Sequence, residues 1–276
     1  MDTPAFIVTH WQDEQKVFLK NLELLKDHSD KDAVHDIRVA IKKLRAILEL
    51  YIFLTTEKLW ENPLNETETL FKVLGRQRDI DICLEKLKNP VTHSGFTFHE
   101  LSSFFESVLK KARQWTSVAV RQYDENEIGR IKVLLKSEET HLTNEVTLQK
   151  AMTIITSQLL EARQLLKLPH QLRQHLKKIF YWVRMLPGGL PVIFHEKELH
   201  EITDDLGIWQ DNEIFLARLR HFKKDFLPKT YDEYGQLRIL TLEIRNVNKL
   251  LLSKALRKTR KLLKTVALNE KEKALS

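Results

Sequence analysis

Residues 34–51 read VHDIRVAIKKLRAILELY, and residues 169–186 read PHQLRQHLKKIFYWVRML. Both contain His-x-x-Arg-x-x-x-Lys-Lys at the same spacing: His35 matches His170, Arg38 matches Arg173, and Lys42-Lys43 matches Lys177-Lys178. The apolar positions align too, with Ile37, Ile41, Leu44 and Leu48 against Leu172, Leu176, Ile179 and Val183. Apolar residues three and four apart form one stripe on a helix, so each copy predicts an amphipathic helix that buries the same face. A second pair follows downstream. Leu74-Gly75-Arg76-Gln77-Arg78-Asp79 corresponds to Leu206-Gly207-Ile208-Trp209-Gln210-Asp211. Two motif pairs in the same order mean that one helical unit occurs twice. The expected fold is therefore all-α: two pseudo-symmetric four-helix bundles of long antiparallel helices, one repeat over residues 1–135 and the other over 136–276, within a single domain spanning 1–276.

The rest of the chain agrees with helices. Seven glycines and seven prolines in 276 residues leave long Leu-, Glu-, Lys- and Arg-rich runs uninterrupted. Periodicity and breakers predict helices near 5–27, 31–55, 64–88, 98–123, 126–166, 168–186, 193–226 and 231–267, with a break expected in the polar stretch 137–144. Pro63 marks a start, Asn89-Pro90 an end, Pro169 a first turn, and Pro187-Gly188-Gly189 a stop. A lone cysteine, Cys83, excludes an intramolecular disulfide and a cysteine-based metal cluster, which fits a reducing compartment. The N-terminus lacks a basic n-region and apolar h-region, and no apolar run is long enough to span a bilayer, so a cytoplasmic location is expected.

Charge is unevenly spread. The chain carries 45 basic and 38 acidic residues, a formal charge of +7, yet the segment 245–264 holds eight lysines and arginines and no acid. On the repeated helix, taking His35 as zero, Lys42 falls at about −20°, Arg38 at about −60° and Arg45 at about −80°, beside an apolar stripe centred at about −140°. These cations therefore line the rim of a helix-packing interface and form a groove. His170, Arg173 and Lys177 repeat the pattern; Phe180 stands where Arg45 would be, and Arg184 is placed to restore that charge. Lys43 and Lys178 project about 80° to the other side, toward a neighbouring helix. Like charges at these spacings repel, and a phosphate-rich anion relieves the repulsion: arginine forks take phosphate oxygens bidentately, lysine adds a point charge, and imidazole donates to an oxyanion.

The run His35 to Arg45 and the Leu-Gly-x-x-Arg-Asp-x-Asp run at 74–81, with their counterparts at 170–181 and 206–211, resemble the CHAD family, the conserved histidine α-helical domain. The resemblance covers nearly the whole chain. It implies two pseudo-symmetric four-helix bundles with a basic channel that binds inorganic polyphosphate, in some members at polyphosphate granules, with no catalysis and no cofactor. By motif position it passes the anion-binding role to His35, Arg38, Lys42 and Arg45 in the first copy, and to His170, Arg173, Lys177 and Lys178 in the second.

Competing readings are weaker. The His195 to His200 stretch, HEKELH, places its histidines about 140° apart on a helix, unlike a zinc-binding His-Glu-x-x-His. Gly75 and Gly207 lie inside helical patterns and read as close-packing positions. Asp79 and Asp211 read as partners of a neighbouring helix, with Arg78 a candidate partner for Asp79. A nucleic-acid backbone is the alternative polyanion, although no helix-turn-helix, zinc-finger or stacking-platform pattern occurs. A polyphosphate- or triphosphate-processing enzyme would need carboxylates for Mg²⁺ to converge from remote helices.

Overall fold

In a computed structural model of the chain, the described residues are 5–28, 30–55, 63–88, 95–137, 144–187 and 194–275, and among them there are nine α-helices and no strands. They are α1 (Ala5–Asp27), α2 (Lys31–Thr55), α3 (Asn65–Lys88), α4 (His99–Gln122), α5 (Asn126–Ser137), α6 (Asn144–Glu161), α7 (Pro169–Met185), α8 (Glu196–Asp225) and α9 (Asp232–Leu275). The predicted 126–166 segment is divided into α5 and α6, the latter ending in a 3₁₀ turn, Ala162–Leu165. Pro169 opens α7 at its first turn, where the missing N–H has no intrahelical acceptor to lose. The last helix runs to Leu275, beyond the expected 267. Asn89-Pro90 and Gly188-Gly189 lie outside the described residues.

Two hydrophobic cores form, and neither is confined to one half of the sequence. In the larger, Trp11 and Phe18 of α1, Ile37, Ile41 and Leu44 of α2, Ile155 and Leu159 of α6, and Leu172, Leu176 and Trp182 of α7 pack together. In the smaller, Ile80 and Cys83 of α3 and Phe105 of α4 meet Phe215, Leu219 and Phe222 of α8 and Leu237 and Leu240 of α9. The long hairpins α3–α4 and α8–α9 thus cross from one core to the other. Leu74 and Leu206 are their last contributions to the larger core before the crossing, while Ile80 and Phe215 belong to the smaller. Between them, at Gly75 to Asp79 and Gly207 to Asp211, lies a largely polar waist. α2 and α7 pack against each other there, with α3 and α8 alongside.

Buried carboxylates tie the helix starts in place. Glu127 of α5 accepts the backbone N–H groups of Glu66 and Thr67 at 2.8 Å each. Glu233 of α9 accepts those of Glu100 and Leu101 at 3.0 and 2.9 Å. Each satisfies first-turn donors that have no intrahelical partner and sits at the positive end of a helix dipole.

The α2–α7 contact is fixed by Trp182, which is fully buried and donates its indole N–H to the Ala46 carbonyl at 2.6 Å. Trp182→Phe removes that donor and part of the buried volume. It should cost about 1–3 kcal/mol, read as a lowered melting temperature by calorimetry, while Trp115→Phe at an exposed position should leave the transition close to wild type.

Candidate functional site

The waist holds a half-open cavity of about 730 Å³ between α2, α3, α7 and α8. His35, Arg38, Lys42 and Arg45 of α2 line it, as do His170, Arg173, Lys177 and Lys178 of α7. Arg78 adds a seventh lysine or arginine, against three carboxylates, Glu49, Asp79 and Asp211. Arg184 lies outside. It is seven residues past Lys177 on the same helix face, about 10 Å farther along the axis, and sits in a separate groove with His10, Lys43 and Tyr181. There its side chain is 60% exposed and Nε is 3.5 Å from Glu196.

Phe71 of α3 organises the first-half cations. The Arg38 and Arg45 guanidiniums lie over its ring, 4.0 and 4.2 Å from the centroid, and Arg38 also donates to the Phe71 carbonyl at 2.6 Å. Arg45 is held from its other side by Glu68, 2.5 Å away. Gly75 is one turn beyond Phe71, and a Cβ there would stand 2.7 Å from Arg38 Nη1. The glycine of the second motif therefore makes room for the arginine of the first, which is how the two motifs depend on each other. At the matching position, a Cβ on Gly207 would meet Arg173 only at 4.0 Å, an ordinary contact. Phe180, in place of an arginine, offers its ring to Lys177 at 4.7 Å. Each half thus sets cations on an aromatic face, contributed by α3 in one and by α7 itself in the other.

Pairing divides the cations into two groups. Lys43 is bound by Glu14 of α1 at 2.7 Å and Lys178 by Glu49 of α2, so the second lysine of each Lys-Lys pair ties neighbouring helices together. Lys177 is 3.7 Å from Asp204. Asp79 pairs with Arg218 of α8 at 3.7 Å rather than with Arg78; adjacent residues on a helix point about 100° apart and do not face each other. His170 Nδ1 is hydrogen-bonded to Gln210 at 2.7 Å, and His175 donates to the Gln158 carbonyl at 2.7 Å. In contrast, Arg38, Lys42, Arg78 and Arg173 have no carboxylate at ion-pair distance among the described residues, and Arg173 Nε is buried without a hydrogen-bond partner.

This crowding shows in the protonation equilibria. Burial, then the charges of Arg38, Arg173 and Lys177, push the Lys42 ammonium down to about 7. Burial also lowers the Arg38 guanidinium, to about 10, and holds Arg45 and Lys177 below their usual ranges. The His35 imidazole is lowered by partial burial and by Arg78. Burial raises Asp79 and Asp211 despite their cationic neighbours. Desolvation is the largest cause of every one of these shifts, lowering the cations and raising the carboxyls, and the neighbouring cations add to it at Lys42 and oppose it at the two aspartates. Among the described residues, no group of three His, Cys, Asp or Glu side chains is placed to hold a metal ion.

Phe71, Arg78 and Gln210 were not legible as site residues from the repeated helix alone. Arg78 and Gln210 belong to the second motif, and Phe71 lies four residues before Gly75 on the same helix face, which was the one signal pointing to it.

The sequence model of the CHAD domain family matches residues 10–220. A crystal structure of the CHAD domain from the plant Ricinus communis has the same fold, with a TM-score of 0.71 and 14% identity over 92% of this chain and 90% of that one. No curated protein matches the chain.

The unpaired Lys42 provides a direct check. Resolved by NMR in the ligand-free protein, its ammonium should titrate with a midpoint of about 7, whereas exposed lysines titrate near the usual value of about 10.4.

Proposed function

Because the chain belongs to the CHAD domain family, we propose that it binds inorganic polyphosphate, without catalysis, in the waist cavity between α2 and α7. The observation that carries this reading is the set of four cations without carboxylate partners, Arg38, Lys42, Arg78 and Arg173, drawn from three helices and lining one half-open cavity. A chain of phosphates presents repeated oxyanions without side chains or bases to accommodate, and it neutralises several of these cations at once. The binding set is His35, Arg38, Lys42 and Arg45 with His170, Arg173, Lys177 and Lys178, while Arg184 serves as an outer contact beyond Tyr181. In this reading the two halves are pseudo-symmetric, α2 answering to α7 and α3 to α8, and the duplication serves to bring two basic faces onto one ligand. Lys178 and Arg45 act mainly by holding the walls, since Glu49 and Glu68 already engage them.

The cavity suits a nucleic acid less well. Arg38 and Arg45 occupy the space over the Phe71 ring, and Lys177 lies over Phe180 with His200 beside it, so these aromatic rings are not free platforms for a base. Asp79 and Asp211, the acids that converge from remote helices, face Arg218, Lys86 and Arg173. We read them as holding the cations in register when the cavity is empty. No helix among the described residues is long and apolar enough to cross a membrane.

Calorimetric titration with long-chain polyphosphate, tripolyphosphate and single-stranded DNA tests the assignment. Long polyphosphate should bind well above DNA at moderate salt, and the quadruple variant Arg38→Ala, Lys42→Ala, Arg173→Ala, Lys177→Ala should lose that preference while remaining helical by circular dichroism. Equal binding of DNA, or a folded variant that retains the preference, overturns the reading.

The ligand-free Lys42 value sets a pH dependence. An anion favours the charged ammonium and raises its pKa, so binding takes up a proton above about 7. Affinity should fall as pH rises through and beyond that value, and the apparent enthalpy at pH 8 should vary with the ionisation heat of the buffer. Lys42→Met should abolish most of that buffer dependence.

A further inference from the structure

The segment 245–264, with eight cations and no acid, lies on α9, outside the residues matched to the family. The structure sorts these cations. Lys258 pairs with Asp205 and Glu201 of α8 at 2.9 and 3.0 Å, and Lys254 with Asp205 at 3.4 Å. The remaining six, Arg245, Lys249, Arg257, Arg260, Lys261 and Lys264, are exposed, and none has a carboxylate at ion-pair distance among the described residues. At 100° per residue they fall within a sector of about 160° facing away from α8, and at 1.5 Å per residue they extend over about 29 Å. Arg238 and Lys223 continue the field at its N-terminal end; Lys223 is pushed below its usual range by burial and by Arg238 and Arg245.

Such a face is costly to keep bare. Arg257 with Lys261 and Arg260 with Lys264 are like charges one turn apart, and each pair disfavours the helix. Among the described large apolar side chains of 245–264, Leu250 alone is exposed, at 72%; Ile239 and Leu242, 48% and 60% exposed, lie before the segment, and Leu268, 50% exposed, lies after it. Leu250 by itself gives little area for insertion into a lipid surface, whereas the unpaired cations share one face, Arg245 and Lys249 toward one end and Arg257, Arg260, Lys261 and Lys264 toward the other. A linear polyanion fits this arrangement.

We propose that the outward face of α9 is a second, open binding surface for polyphosphate, engaging stretches of a long chain that the cavity cannot contain. This rests on the reading of the cavity as the polyphosphate site and adds dependence on chain length: a short polyphosphate fills the cavity alone, and a long one also gains the α9 stripe. Binding to the stripe is mostly electrostatic, so it is the part of the affinity most weakened by salt.

The test is titration of the full chain with tripolyphosphate and with long-chain polyphosphate across a series of salt concentrations. It compares wild type with a variant carrying Lys249→Gln, Arg257→Gln, Arg260→Gln, Lys261→Gln and Lys264→Gln, all exposed positions, with folding checked by thermal melting. The variant should bind tripolyphosphate as the wild type does and bind long chains about tenfold or more weakly. Its slope of log affinity against log salt should be shallower by roughly 3.5, from five lost phosphate contacts at about 0.7 each. Unchanged long-chain affinity and slope overturn the proposal while leaving the cavity assignment standing. A wild type that binds neither ligand overturns the cavity assignment itself. Loss of binding to phosphatidylserine vesicles, with long-chain polyphosphate binding intact, also overturns the proposal and assigns the face to a lipid surface.

Discussion

Arg38, Lys42, Arg173 and Lys177 repel one another across a space partly withdrawn from water, and the rest of the fold holds them together against that repulsion. The opposing force is apolar burial on both sides of the waist. One core packs Trp11, Phe18, Ile41, Leu176 and Trp182, and the other packs Phe105, Phe215, Leu219 and Leu237. A fully buried side chain of this size contributes about 1.5–3 kcal/mol, so several together outweigh an uncompensated cluster of cations. The depressed Lys42 ammonium, at about 7, marks what the arrangement costs: part of its charge is relinquished at neutral pH.

The two halves solve the same problem with different parts. In the first, Arg38 and Arg45 lie over Phe71, and Gly75 removes the Cβ that would displace Arg38. In the second, Phe180 replaces an arginine and carries Lys177, so the aromatic face has moved from the neighbouring helix to α7 itself. Among the described residues no ring lies beneath Arg173, and its buried Nε has no hydrogen-bond partner. In the first half the arginines are held by the Phe71 ring and backbone while Lys42 and Arg78 keep no carboxylate; in the second, Asp204 and Glu49 engage the two lysines and Arg173 is the cation left without one.

Much of this was legible in the chain because helical faces repeat with a fixed angle. His35, Arg38, Lys42 and Arg45 fall within about 80° of one another on any α-helix, so their shared orientation needed no partner to predict it. The same geometry sent Lys43 the other way, where Glu14 meets it, but Lys178, expected there too, pairs with Glu49 on the wall of the cavity itself, because α2 packs on that edge of α7. Arg184 shows the limit of that reasoning. Its angle matches the site, but the cavity ends before its level on the axis, and angular periodicity carries no information about where neighbouring helices close a space. Pairing of Asp79 with Arg218 was likewise beyond reach, since the two are separated by more than a hundred residues of chain.

The sequence by itself determined the helices, the apolar stripe of each, the two copies of the basic face and the absence of disulfide constraints, because all of these depend on residue type and spacing along one chain. Only the tertiary structure decided that α2 packs on α7 so that both basic faces meet in one cavity, and that the long hairpins α3–α4 and α8–α9 pass from one core to the other. It also decided which cations acquire carboxylates and which are left without them. Those outcomes depend on distances between segments far apart in sequence, where burial sets the strength of every charge and the packing of one helix decides the counterion of another.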